Sequence, residues 1–251
     1  MPTPAMSLLL VAGGVLAGII GTAGGITSLV SYPVLLVAGL SPFAANVANL
    51  VALVACWPAS AAVSRREVAE QRRWLPAGLV AAGVGGAAGT VLLLTTPSEV
   101  FDRVVPALVA LGSITLLGQP ALTTHVHRAS GGRGAPAGVS LAVVAVVSIY
   151  GGYFGAGSGV MLLATALILL DGRMPVANAV KNMLAGASTA ASAVVLLVAG
   201  PVDWGAVVPL AAGLFLGSLI GPVLARRLPS VVIRYAVALL GFVLAVRLAF
   251  G

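Results

Sequence analysis

The single lysine of the chain, Lys181, sits in a polar box, Asn178-Ala179-Val180-Lys181-Asn182, within an apolar run that opens near Pro175. Asn178 and Asn182 stand at i−3 and i+1 from it, so an ammonium and two carboxamides gather where little else is polar. Upstream lies a dense glycine cluster, Gly155-Ala156-Gly157-Ser158-Gly159. Glycines packed this closely are unfavourable in a helix interior and mark a break. Amides at the start of a helix carry partial positive charge and bind anions. Gly155, Gly157, Ser158 and Gly159 together with Asn178, Lys181 and Asn182 therefore suit a small oxyanion. Lys181 also has a plainer reading: near the start of a span, its ammonium can snorkel to the headgroups.

The stretch Gly151–Asn182 has a degraded copy at Gly18–Asn49. Its glycines, Gly21, Gly24 and Gly25 with Thr22, precede a box holding Asn46 and Asn49 but no cation. Gly21 aligns with Gly155 and Gly25 with Gly159; after a one-residue gap, Pro42 aligns with Pro175 and Asn49 with Asn182. These residues make the other side of the expected site. Asn46 is equally well a helix–helix hydrogen-bonding residue, and Tyr32, Tyr150 and Tyr153 are expected to pack.

Several chemistries are excluded. The glycines do not end in the Gly-Lys-Ser/Thr of a P-loop, and their spacing misses the dinucleotide fingerprint. No carboxylate falls near the centre of an apolar run, as a cation site or proton relay would require. His125 and His127 stand in a polar stretch without further ligands, so no metal is expected, and the lone Cys56 is expected to pack as a small apolar residue. Neither cofactor nor catalytic residue emerges, and the chain is not read as an enzyme.

The elements that must position these residues are membrane spans. Of 251 residues, 60% are hydrophobic and 8% charged, with a mean hydropathy of +1.13, far from soluble domains. The net charge of +7 comes from arginines between apolar runs, which is topology and not a nucleic-acid footprint. The amino-terminal MPTPAMSLLL lacks a positive n-region and is read as retained. A broken segment at Met6–Gly39, expected as two half-length helices, precedes spans at Pro42–Val63, Trp74–Thr95 and Ser98–Gly118. The pattern repeats as a broken segment at Val139–Leu170 and spans at Pro175–Ala199, Trp204–Ala225 and Ser230–Phe250. This divides the chain into a first repeat, 1–117, a polar linker, 118–138, and a second repeat, 139–251. Gly213, Gly217 and Gly221 form a stripe for close helix packing.

Loop charges orient the halves. Arg65, Arg66, Arg72 and Arg73 crowd one loop whose counterpart offers only Asp203, while Arg226 and Arg227 answer to Glu99 and Asp102. Matching loops of opposite character require inverted repeats, each with a re-entrant glycine-loop helix pair and three transmembrane helices. Loops 64–73, 118–138, 171–174 and 226–230 are then cytoplasmic and the amino terminus external; Arg247, near the external carboxyl end, is the residue that fits poorly.

The pairing of GYFGAGSG with NAVKN, and of GTAGG with NVAN, in a chain of this length resembles the TauE/SafE family, over essentially the whole sequence. That resemblance implies export of sulfite or an organosulfonate, or transport of a related anion, in a bacterial inner membrane. The expectation is an all-α, multi-pass secondary transporter of the cytoplasmic membrane working by alternating access. Its expected partners are a small anion (sulfite, a sulfonate or a related oxyanion), the lipid bilayer and, as an assembly, a homodimer, with no nucleic acid. The rival is a membrane-embedded accessory subunit that assembles through its glycine faces and transports nothing itself.

Overall fold

The computed structural model describes residues 3–63, 65–129, 136–170, 173–225 and 230–250, with the side-chain surroundings of 22–24, 59, 63–66, 119–135 and 222–233 left aside. Among the described residues the fold is all helical. Thr3 accepts from the Met6 N–H and Pro4 occupies the first turn, which starts α1 (Pro4–Gly24). The glycines at 21 and 24 do not stop it; the chain turns only at Gly25, where φ is +73°. With 21 residues, α1 is about 31 Å long at 1.5 Å per residue, a full-length helix where a half-length one was expected. A helix ends where the backbone must leave the right-handed region, not at the first glycine.

The chain then folds back as α2 (Thr27–Val37). A Cβ on Gly21 would strike Thr27 and one on Gly13 would lie 2.5 Å from Val34 Cγ1, so α2 runs antiparallel along α1. The second half opens the same way. α8 (Ala137–Tyr153) ends at the break Phe154–Gly157, with φ of +84° at Gly155 and +83° at Gly157, and α9 (Ser158–Leu169) follows. A Cβ on Gly151 would meet Ser158, and further along the pair Ser148 and Leu162 line one small cavity, so α9 also returns along its partner.

Between the hairpins, the span at Pro42–Val63 is interrupted. It comprises α3 (Pro42–Ala52), a 3₁₀ turn at Leu53–Ala55 and α4 (Cys56–Val63). A short α5 (Arg65–Glu70) leads to α6 (Leu75–Thr95) and α7 (Ser98–Ala129). The helical backbone of α7 thus runs well into the stretch read as a linker. Its polar residues mark departure from hydrocarbon and not the end of the helix, because dense glycine punctuation begins only at Gly131. The side chains of His125 and His127 lie outside the described residues. The second half closes with α10 (Met174–Ala199), α11 (Trp204–Ala225), capped by Asp203 Oδ1 on the amides of Gly205 and Ala206, and α12 (Ser230–Phe250). Among the described residues, six helices carry apolar stretches long enough to cross a membrane: Pro4–Gly21, Pro42–Ala62, Leu75–Thr95, Ser98–Gly118, Met174–Ala199 and Trp204–Gly221.

Each half's first helix packs on the other half's α6 or α11. A Cβ on Gly14 or Gly18 of α1 would lie 2.6 Å from the carbonyl of Leu210 or Leu214 on α11, and Gly213 and Gly217 meet the Val11 and Val15 carbonyls in return. On the other side, Gly85 and Gly89 of α6 receive the carbonyls of Ala145 and Ile149 on α8, and Gly152 receives Gly86. Small residues let these backbones approach closely where lipid offers no hydrophobic drive. α12 packs on α7, and α10 on α6, α9 and α4. At one end, Arg173 and Glu70 form an exposed ion pair at 2.5 Å, joining the loop before α10 to α5.

Candidate functional site

The two breaks meet. A Cβ on Gly25 would lie 2.6 Å from the carbonyl carbon of Gly159, and one on Gly159 would collide with the Gly25 carbonyl. The residues aligned across the repeat are therefore back to back, at a separation only glycine permits. Around this contact opens a cavity of about 80 Å³, room for about half a dozen waters at 10–15 Å³ each, or for a small oxyanion with part of its shell.

Gly21 near the end of α1, Gly25 at the first break, Gly155 in the second, and Ser158 and Gly159 at the start of α9 line this cavity, as do Lys181 and Asn182 from α10. The starts of α2 and α9 reach it through Thr27, Ser28 and Ser158. Lys181 is 1% exposed. It is the chain's one lysine, and its burial inside the helix bundle sets aside the snorkelling alternative.

The asparagines of the first half do something else. Asn46 and Asn49 are fully buried and neither lines the cavity. Asn46 Nδ2 donates to the Tyr153 carbonyl at 2.9 Å, one of the acceptors released where α8 stops. Asn49 Oδ1 accepts from Ser31 Oγ at 2.5 Å and so ties α3 to α2. Broken helices at membrane depth need such partners, since lipid supplies none. Tyr150 works alongside, its hydroxyl donating to the Ala156 carbonyl at 2.6 Å, while Ser158 Oγ donates to Gly155 O at 2.7 Å. Thr90 Oγ1 donates to the carbonyls of Gly86 and Gly152. Tyr32 packs edge-on against Phe154, with ring centroids 5.3 Å apart.

Gly157 also faces away from the cavity: a Cβ there would lie 2.7 Å from Gly112 Cα, so it seats the second break on α7. Asn178 is half-buried and does not line the cavity. Thr22 and Gly24 belong to α1 by backbone, and their surroundings lie outside the described residues.

The cavity wall holds residues that motif reading passed over: Cys56, Trp57 and Ser60 on α4, and Gly186 and Thr189 on α10. Cys56 packs against the apolar core, as expected, and also lines the cavity. A signal was available: in the register that puts Asn49 on Asn182, Leu53 falls on Gly186 and Cys56 on Thr189, so matching faces of the Pro42–Val63 run and of α10 line the space.

Two broken helical hairpins meeting at a cavity that holds a buried lysine, inside a bundle of apolar helices, describe a multi-pass membrane transporter. The chain belongs to a family of that class: the family profile described as "Sulfite exporter TauE/SafE" matches residues 7–248. A "Probable membrane transporter protein" of Haemophilus influenzae is 26% identical over 239 residues, covering 94% of this chain and 92% of that protein. A "Probable membrane transporter protein ORF9" of Sinorhizobium sp is 26% identical over 234 residues, covering 93% and 88%. No solved structure matches the chain significantly.

Proposed function

We propose that this transporter moves a small oxyanion, sulfite or an organosulfonate before others, across the cytoplasmic membrane by alternating access. The two halves rock about the contact between Gly25 and Gly159. The observation that carries the reading is the burial of Lys181 in a cavity shared by both breaks and both helix starts. A buried ammonium with donors around it favours a ligand that brings negative charge. The family profile's description supports sulfur oxyanions as the first to test.

Inversion of the halves is supported by the return of α2 along α1 and by the Arg173–Glu70 pair. Against the accessory-subunit reading stands the packing of Gly213 and Gly217 on α1 of the same chain. The test is flux into proteoliposomes of sulfite, sulfate, thiosulfate and sulfonates by wild type and Lys181→Ala. At least a tenfold loss in the variant is expected. Absence of flux and binding for every anion in the wild type, or an unchanged variant, overturns the reading.

A further inference from the structure

Trp57 is the largest residue in the cavity wall, and it lies within the apolar stretch Pro42–Ala62. Its Nε1 is buried and has no hydrogen-bond partner among the described residues. An indole N–H is a donor only, and a buried donor normally finds an acceptor. The indole is also seated deliberately. It lies against Gly186 so closely that a Cβ at that position would collide with Cδ1 and lie 2.6 Å from Nε1 itself. In the repeat register Gly186 answers to Leu53, so the second half gives up a large side chain where the first half's tryptophan must fit. Orphaned donors are not by themselves sites: Trp74 Nε1 is likewise buried without a partner among the described residues, but Trp74 packs on Gly78 and does not line this cavity.

We propose that Trp57 is a ligand-binding residue whose Nε1–H donates to an oxygen of the bound anion, and that Gly186 is the seat that aims it. The proposal rests on the anion site argued above and adds a second donor, on the wall contributed by the first half. A neutral, directional donor beside a cation favours an acceptor oxygen at a fixed place. The ligand chemistry it selects is an oxyanion with at least two separate oxygens, one toward Lys181 and one toward Trp57, in preference to a halide.

Two measurements test it. In a Trp74→Phe, Trp204→Phe background, Trp57 is the only indole, and sulfite titration of the purified protein is expected to change its fluorescence saturably. Chloride at equal ionic strength is expected to leave it unchanged. In equilibrium binding, Trp57→Phe keeps the ring but removes the donor, and a roughly tenfold weaker affinity is expected for the loss of one charge-assisted hydrogen bond. Gly186→Ala, which displaces the indole, is expected to weaken binding similarly, and Trp74→Phe to leave it unchanged. If wild type binds sulfite while the Trp57 signal stays flat and Trp57→Phe binds unchanged, this assignment is wrong and the anion site stands. If wild type binds none of the oxyanions, both are wrong.

Discussion

At Gly25 and Gly159 the backbone itself sets the residue type. Gly25 combines a positive φ with a neighbour that leaves no space for a Cβ, whereas Gly39 has φ of +93° and open space around it. Alanine at position 39 is therefore expected to cost only the left-handed strain, about 1–2 kcal/mol. At position 25 an overpacking cost of roughly 1–3 kcal/mol is added and the two breaks are pushed apart. Thermal unfolding in detergent together with flux separates the two: Gly39→Ala keeps transport, and Gly25→Ala loses it along with stability. The asparagines make the opposite case. Asn46→Ala strips the Tyr153 carbonyl of its donor, so a stability loss of about 1–3 kcal/mol is expected, whereas any anion affinity measured on the folded fraction should be kept. An affinity loss without a stability loss would return Asn46 to the ligand. Both glycine breaks and Lys181 are legible in the sequence because they violate their surroundings: glycines too dense for a helix, a cation in an apolar run. Trp57, Ser60 and Thr189 are not, because each is compatible with an apolar span, and only the packing of α4 against α10 decides which face turns to the cavity. Asn46 and Asn49 are buried away from the cavity wall, which the sequence of the span does not disclose. Polarity inside a span shows that a partner exists, not whether it is a ligand or a broken helix's own backbone.

The hairpins and the interrupted span differ in how much the sequence discloses. A glycine that leaves the right-handed region ends a helix, but one that stays within it does not; hence α1 runs on through Gly21 to full length while the turn is only Gly25 and Ile26. The close crossings are legible from spacing alone, since glycines four apart stack on one helix face. Gly217→Leu would drive a branched side chain into the Val15 carbonyl on α1, so it is expected to unseat the first hairpin from α11. The expected result is a lower unfolding temperature and loss of transport together. A stable, active Gly217→Leu protein would show that this crossing is not required. The 3₁₀ turn at Leu53–Ala55 has no counterpart in α10, which is continuous from Met174 to Ala199. It lies beside Cys56 and Trp57, where a mid-helix 3₁₀ stretch commonly marks a hinge. The two sides of the cavity are thus built unequally: a rigid helix carries the cation, and an interrupted one carries the indole.

The proposed inversion of the two halves makes a claim about which loops share a membrane face, and one surface contact bears on it. In a parallel arrangement, with each broken segment counted as a full crossing, the loop at 64–73 and the loop at 171–174 end on opposite faces of the membrane. In the inverted arrangement, with each hairpin entering and leaving on one side, they share a face. Glu70 and Arg173 are in contact, and two residues in contact cannot be separated by a bilayer of about 30 Å. The pair contributes little energy, being exposed, so its value here is geometric. Single cysteines placed at Thr3, Glu70 and Arg173 in a Cys56→Ser background distinguish the arrangements by labelling with a membrane-impermeant maleimide. Inversion predicts that Thr3→Cys reacts from outside intact cells, while Glu70→Cys and Arg173→Cys both react only from the cytoplasmic face of inside-out vesicles. The parallel arrangement instead puts position 3 on the same side as position 70 and opposite position 173. A reporter fused after Gly251 completes the test, since inversion puts it outside despite Arg247 in the last turn of α12. A cytoplasmic reporter with position 173 labelled from outside would defeat the inverted fold, and with it the rocking of two halves about Gly25 and Gly159.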